Sequence, residues 1–268
     1  MGPDTSSRQT ALITGASGGI GEELARRFAR DHYHLVLVAR SADKLQALAD
    51  QLSREHSIQA HVVAVDLANP RAVDDIMTSL RSRSIEIDVL VNNAGFGTYG
   101  PFVEANADDE LRMIQVNVTA LTHLTRMLLP GMLARRRGKV LNVASTAAFQ
   151  PGPLMAVYYA TKAYVLSFSE AIANEVAGTG VTVTCLCPGP TPTGFQARAR
   201  MEGSQLLRAG LMMDAATVAR IGYEGMLRGK TIVIPGLKNR LIVQAVRLSP
   251  RGFVTRMVRR IMERRTPE

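Results

Sequence analysis

The sequence predicts an α/β domain in which a doubly wound parallel sheet of about seven strands is flanked by helices. Three observations carry this. Through residue 190, short β-branched runs alternate with longer stretches of helical period, the pattern of a sheet wrapped by crossover helices. A glycine-rich turn directly follows the first β run and opens the first helical stretch. With 268 residues, 46% of them hydrophobic and 21% charged, the chain suffices for one extensive core and is short for two full domains.

Strands are expected at Ala11–Ile13, Leu35–Val38, Ala60–Val65, Val89–Val91, Lys139–Val143 and Val181–Cys187, with a seventh at Thr231–Ile234. Apolar positions recurring at three and four residue steps predict helices over Gly19–Arg30, Lys44–Glu55, Pro70–Arg83, Asp108–Ala134 and Val157–Gly178. No repeat or Gly/Ser linker interrupts the alternation, so residues 11–236 read as a single domain. It is preceded by a disordered stretch, residues 1–10, and followed by a basic amphipathic helical tail, residues 237–268. The Met-, Leu- and Arg-rich stretch Arg198–Met213 begins where the sixth strand has left the sheet's carboxyl edge. It reads as a substrate lid, against the alternative of an ordinary packed helical excursion.

Composition removes several function classes. No apolar run approaches the roughly 20 residues that span a bilayer, and Met1–Thr10 lacks the apolar segment of a secretory signal, so a cytoplasmic protein is expected. Cys185 and Cys187 share one face of a strand without a completing Cys/His set, and read as packed, reduced thiols rather than a disulfide or metal site. The formal charge of +9 is concentrated at the end: Lys238 to Arg265 holds nine Lys/Arg against Glu263. This tail fits a helix packed on the body with a solvated basic face, a contact with an anionic membrane or an acidic partner, or a subunit interface. Nucleic acid is excluded as a partner, since no binding motif or aromatic stacking set accompanies the charge.

The turn Thr14-Gly15-Ala16-Ser17-Gly18-Gly19-Ile20-Gly21 brings Gly15, Ser17, Gly19, Ile20 and Gly21 to a helix N-terminus, where free N–H groups and the positive dipole end favour a pyrophosphate. Its TGxxxGxG spacing resembles the short-chain dehydrogenase/reductase family, whose Rossmann-type sheet binds a nicotinamide dinucleotide. At the end of the second strand, where NAD-binding folds place a carboxylate for the ribose hydroxyls, the chain reads Val38-Ala39-Arg40. Arg40 offers a guanidinium fork to a 2′-phosphate, so NADP(H) is the expected cofactor. Asp66, closing the third strand, fits either a helix cap or an acceptor for an adenine amino group. The resemblance implies the second, with Leu67 beside it. Asn92-Asn93-Ala94-Gly95 matches the family's NNAG segment, implying cofactor contacts at Asn93, Ala94 and Gly95. Pro188-Gly189, with Thr193, resembles the segment that approaches the carboxamide.

Tyr158 and Lys162 lie four residues apart on a predicted helix and project from one face. An ammonium nearby would draw the phenol's pKa down from about 10. Ser145, thirteen residues before Tyr158, follows the fifth strand and reaches the same edge, where it can hold a carbonyl oxygen or cap a turn. Asn117 sits inside a predicted helix, where Asn is disfavoured. The resemblance implies a reduction in which Ser145 holds the substrate oxygen and Tyr158 is the acid, also contacting cofactor. It further implies that Lys162 tunes Tyr158 and grips the nicotinamide ribose, and that Asn117 supports a proton relay. A small-molecule carbonyl or alcohol substrate and a homo-dimer or homo-tetramer follow from it, and the Met-rich stretch with few aromatics suggests an apolar substrate. The competing reading is a non-catalytic NADP(H)-binding sensor.

Overall fold

The computed structural model describes residues 8–194 and 212–263. Seven parallel strands form one sheet in the order β3-β2-β1-β4-β5-β6-β7. They are β1 (Thr10–Thr14), β2 (His34–Ala39), β3 (Ala60–Ala64), β4 (Val89–Asn92), β5 (Gly138–Val143), β6 (Val181–Leu186) and β7 (Ile232–Val233). Every residue of β1 and β4 is buried, as expected for central strands covered on both faces. Ile13, Leu35 and Leu37 face one core, shared with α1 (Gly19–Arg30) and α2 (Ala42–His56). Leu12, Val36 and Leu90 face the other, shared with α3 (Ala72–Ser82), α4 (Ala107–Ile114) and α5 (Leu121–Ala134).

The winding direction reverses at β1. Leu12 is paired with Val36 of β2 on one side and Leu90 of β4 on the other, so the crossovers leaving β1 and β4 diverge over opposite faces and open a crevice at the carboxyl edge. The catalytic candidates gather at this edge, Ser145 just after β5 and Tyr158 and Lys162 on α6 (Ala156–Glu175).

The helix expected over 108–134 is not continuous. A π-turn, Gln115–Ala120, separates α4 from α5, and Asn117 lies within it. The inserted turn widens the backbone where a regular α-helix would have set Asn117 one register away. The tail consists of α8 (Leu237–Leu248) and α9 (Arg251–Met262), divided at Ser249-Pro250, after α7 (Ala215–Leu227). Val254, Val258 and Met262 of α9 are buried against Ala147, Met155 and Tyr159, so the tail folds back onto the domain beside the crevice. Residues 1–7 of the expected disordered stretch, and 198–211 of the expected lid, lie outside the described residues, while Thr10 already belongs to β1.

Candidate active site

The crevice is a cleft of about 560 Å³. Its first wall is backbone. Gly15 has φ +67° and Gly19 φ +59°, both in the left-handed region that favours glycine. A Cβ on Gly21 would lie 2.3 Å from the Gly15 carbonyl oxygen and 2.4 Å from Asn93 Nδ2, so no side chain fits there. Helix α1 begins at Gly18 without a side-chain cap, leaving its first N–H groups directed at the cleft. These features fit a pyrophosphate cradle.

One side chain of β1 holds this wall to β4. Thr14 Oγ1 accepts from the backbone N–H of Asn93 and of Ala94, each at 3.0 Å, and donates to the Val91 carbonyl at 3.2 Å. Asn93 Nδ2 donates back to the Thr14 carbonyl at 2.9 Å and the Gly15 carbonyl at 3.3 Å. Sequence reading placed Asn93 among cofactor contacts; its amide acts here as the strut that shapes the glycine turn. Thr14 escaped notice because its partners lie almost eighty residues away.

At the outer end Arg40 and Lys44 line the cleft, both exposed and neither in an ion pair among the described residues. Two cations beside the glycine turn suit an additional phosphate, and Lys44, in the first turn of α2, was missed by the sequence reading. Asp66 and Leu67 do not line the cleft. Asp66 pairs with Arg112 at 3.2 Å and accepts from the Ala68 N–H at 3.0 Å, whereas the Leu67 side chain is buried in the core. Asp66 thus bonds within its own turn and does not cap α3, which has no side-chain cap.

The second wall consists of side chains. Ser145 caps the 3₁₀ turn Thr146–Phe149, accepting from the Ala147 N–H at 3.1 Å. Its hydroxyl also donates to the Pro188 carbonyl at 3.4 Å, so the turn-cap role is met, and it stands beside the Tyr158 phenol on the cleft wall. Lys162 is buried, its ammonium 5.8 Å from the Tyr158 ring centroid and donating to the Val143 carbonyl at 2.8 Å. Burial pushes its pKa down to about 8. Burial also pushes the Tyr158 phenol above its ordinary value, outweighing the lowering by Ser145. The expected downward pull of Lys162 is not among the causes of the shift, which favours the protonated phenol, the state that donates.

Asn117 lies beneath. Its Nδ2 donates to the Phe96 carbonyl at 2.9 Å and Thr161 Oγ1 at 3.1 Å, and its Oδ1 accepts from the Phe96 N–H at 3.1 Å. A Cβ on Gly95 would come within 3.1 Å of Asn117 Oδ1 and 3.3 Å of Lys162 Nζ, so Gly95, Asn117 and Lys162 are packed as one cluster. Tyr159 stands between the cleft and α9, its hydroxyl 3.9 Å from Met262 Sδ. Pro188, Gly189 and Thr193 close the cleft beside Ser145, and the Thr193 methyl sits 2.9 Å from the position a Cβ on Gly19 would take. Behind Gly189 stands buried Asn239 of α8, whose Nδ2 lies 2.6 Å from the corresponding Cβ position. Cys185 and Cys187 are free, buried thiols with their sulfurs 3.7 Å apart.

A phosphate cradle at a topological switch point, next to a serine, a tyrosine and a lysine, defines a dinucleotide-dependent oxidoreductase. The sequence profile described as short chain dehydrogenase matches residues 9–203, and the chain belongs to that family. It is 40% identical over 179 residues to the NADP-dependent 3-hydroxy acid dehydrogenase of Salmonella typhi, spanning 66% of this chain and 71% of that protein. It is 35% identical over 182 residues to the very-long-chain 3-oxoacyl-CoA reductase of Rattus norvegicus, spanning 66% of this chain and 58% of that protein. Among solved structures, the short-chain dehydrogenase from Sphingobium yanoikuyae in complex with NADPH superposes with a TM-score of 0.81. It is 33% identical, with 91% of this chain and 94% of that chain covered. The bulky-bulky ketone specific alcohol dehydrogenase from Comamonas testosteroni gives a TM-score of 0.77 at 31% identity, covering 90% and 93%. NADP(H) is the cofactor, in keeping with the NADP-dependent relative, the NADPH complex and the cation pair at Arg40 and Lys44.

Proposed function

We propose that this oxidoreductase interconverts a carbonyl compound and a secondary alcohol, with Tyr158 as the general acid and base. The observation that carries the proposal is the convergence of Ser145, Tyr158 and Lys162 on the glycine-walled cleft, the Lys162 ammonium 5.8 Å from the Tyr158 ring centroid on the same helix. NADPH, when bound, supplies the hydride. Ser145 orients the substrate oxygen and stabilises the charge that develops on it. Tyr158 donates its proton to that oxygen and takes one back in the oxidative direction. Lys162, anchored on Val143, supports the tyrosinate by its charge and grips the nicotinamide ribose. Asn117 fixes the floor through Phe96 and Thr161 and so supports proton return past Lys162.

The substrate end of the cleft is lined by Phe96, Ala147, Met155, Tyr159 and Pro190, which suits an apolar carbonyl compound. The acyl and bulky-ketone relatives point the same way. Leu111, Ile114 and Met127 of α4 and α5, and Tyr164 of α6, are exposed, a surface suited to a second copy in a homo-dimer or homo-tetramer. A cytoplasmic place is consistent with the described residues, none of whose helices is long and apolar enough to cross a membrane.

NADPH oxidation with a panel of ketones and 3-oxoacyl compounds tests the reading. Tyr158→Phe lowers kcat by a factor of about 100 to 10,000 while NADPH affinity changes less than about threefold. Turnover by the variant at the wild-type rate, or none by the wild type across the panel, overturns it in favour of a sensor.

A further inference from the structure

Helices α8 and α9 turn one face to the domain and present an unusual outer face. On α8 the inward residues are Asn239, Val243 and Val246. The opposite side carries Leu237, Leu241 and Leu248, exposed by 71%, 62% and 89%. Four and seven residues apart, one and two turns, these side chains share a face, a stripe pointing into solvent, where a peripheral helix ordinarily shows charge. On α9 the inward residues are Val254, Val258 and Met262, and Phe253, Met257 and Ile261 form a second, half-exposed stripe beside them. The turn Phe102–Glu104 adds Phe102 and Val103, exposed by 67% and 89%. It is tethered next to α9 by the hydrogen bond from the Tyr99 hydroxyl to the Met262 carbonyl.

Within the two helices the charges are all of one sign, with Glu104 in the added turn and Glu263 at the end of α9 the acids at the margin. Residues 237–262 include Lys238, Arg240, Arg247, Arg251, Arg256, Arg259 and Arg260 and no acidic residue. Arg259 pairs with Glu263 and Arg240 donates to the Ile234 carbonyl. The other five have no acidic partner among the described residues.

We infer that the outer face of the α8–α9 pair seats the protein on an anionic lipid surface, with the leucine and phenylalanine stripes entering the headgroup boundary and the cations meeting lipid phosphates. A second copy fits poorly, because a twofold contact through this face would oppose one acid-free basic helix with another. An acidic protein would answer the charge but would need a partner groove for two separate rows of large apolar side chains. A bilayer answers both, since apolar groups insert about 5–10 Å while each basic residue near the surface adds about a fivefold gain in partitioning. The inner faces of the same helices hold Gly189, through Asn239, and Tyr159, through Met262, so the docked face lies directly behind the catalytic cleft.

Co-sedimentation of the full chain with vesicles tests this. Vesicles of phosphatidylcholine with 30% phosphatidylglycerol are expected to bind the protein at least tenfold better than phosphatidylcholine alone, and 0.5 M salt is expected to release most of it. The triple variant Leu237→Ser, Leu241→Ser, Leu248→Ser is expected to lose at least tenfold in vesicle binding while keeping NADPH affinity and thermal midpoint, since none of the three is buried. Equal binding to both vesicle types, unchanged binding by the triple variant, or a shift of that variant to a smaller oligomer on size exclusion overturns the inference, the last by showing a subunit interface instead.

Discussion

The two walls of the cleft work by opposite means. The wall from β1, α1 and β4 acts by lacking side chains: Gly15, Gly19 and Gly21 bring bare backbone to the cleft, and Thr14 and Asn93 hold that backbone in place. The wall from β5 and α6 acts through polar side-chain atoms of Ser145, Tyr158 and Lys162, each pinned by a neighbour. On the first wall a Cβ added at Gly15, Gly19 or Gly21 is a collision. On the second an isosteric change leaves the shape intact and removes only the chemistry. Cofactor binding and turnover should therefore be separable by single substitutions.

Tyr158→Phe and Arg40→Asp form the widest contrast. The first keeps NADPH affinity and loses turnover. The second is expected to weaken NADPH by about ten- to a hundredfold while changing NADH affinity far less, because a charge-assisted bond to the 2′-phosphate is worth roughly 1.5–3 kcal/mol. Titration with both cofactors measures it, and equal effects on the two would show that Arg40 does not meet the phosphate. A smaller effect is expected from Gly21→Ala. Its Cβ meets a carbonyl oxygen and a hydrogen-bonded amide, neither at the end of a flexible chain. Overpacking of this kind costs about 1–3 kcal/mol. For a chain of this size that lowers the thermal midpoint by a few degrees, and NADPH affinity should fall with it. An unchanged midpoint and Kd would mean that the turn relaxes freely.

Much of this was legible in the sequence, and what was not shares one cause. The strand and helix spans followed from local periodicity, and β1 to β6 fall within a residue or two of their expected places. The glycine turn, Arg40 and the Tyr158–Lys162 pair are local patterns with local reasons. The Thr14 clamp, Asn239 behind Gly189 and Arg112 on Asp66 join residues distant in sequence, and composition says nothing of such pairs. Asn117 was visible as a residue out of place in a helix. The π-turn that accommodates it was not, because a one-residue insertion in helical pitch barely disturbs an apolar stripe. The tail's basic amphipathic character was equally plain, but its division into two helices packed beside the cleft depends on Met262 reaching Tyr159, more than a hundred residues away.

The second wall carries a cost that the first does not, and its pH dependence exposes it. Lys162 is buried with a pKa pushed down to about 8, against 10.5 for a lysine in the unfolded chain. Between these values the unfolded chain holds a proton that the folded one has released, so unfolding takes up protons and stability rises with pH across the window. Below about pH 8 both states are protonated and the full penalty of the buried charge is present, at most roughly 3 kcal/mol. Tyr158 and Tyr159, both raised by burial, act in the opposite sense, but only above about pH 10, where an unfolded tyrosine ionises and the folded ones do not. Cys187, raised well above its ordinary value by the hydrogen bond to Cys185 and by burial, also opposes the rise from about pH 9, so the clean interval is pH 8 to 9. Urea denaturation there should show wild-type stability rising more steeply with pH than that of Lys162→Met, which has no proton to release. Parallel profiles would mean that the ammonium is well solvated in the folded protein, and that Tyr158 works beside a lysine of ordinary basicity.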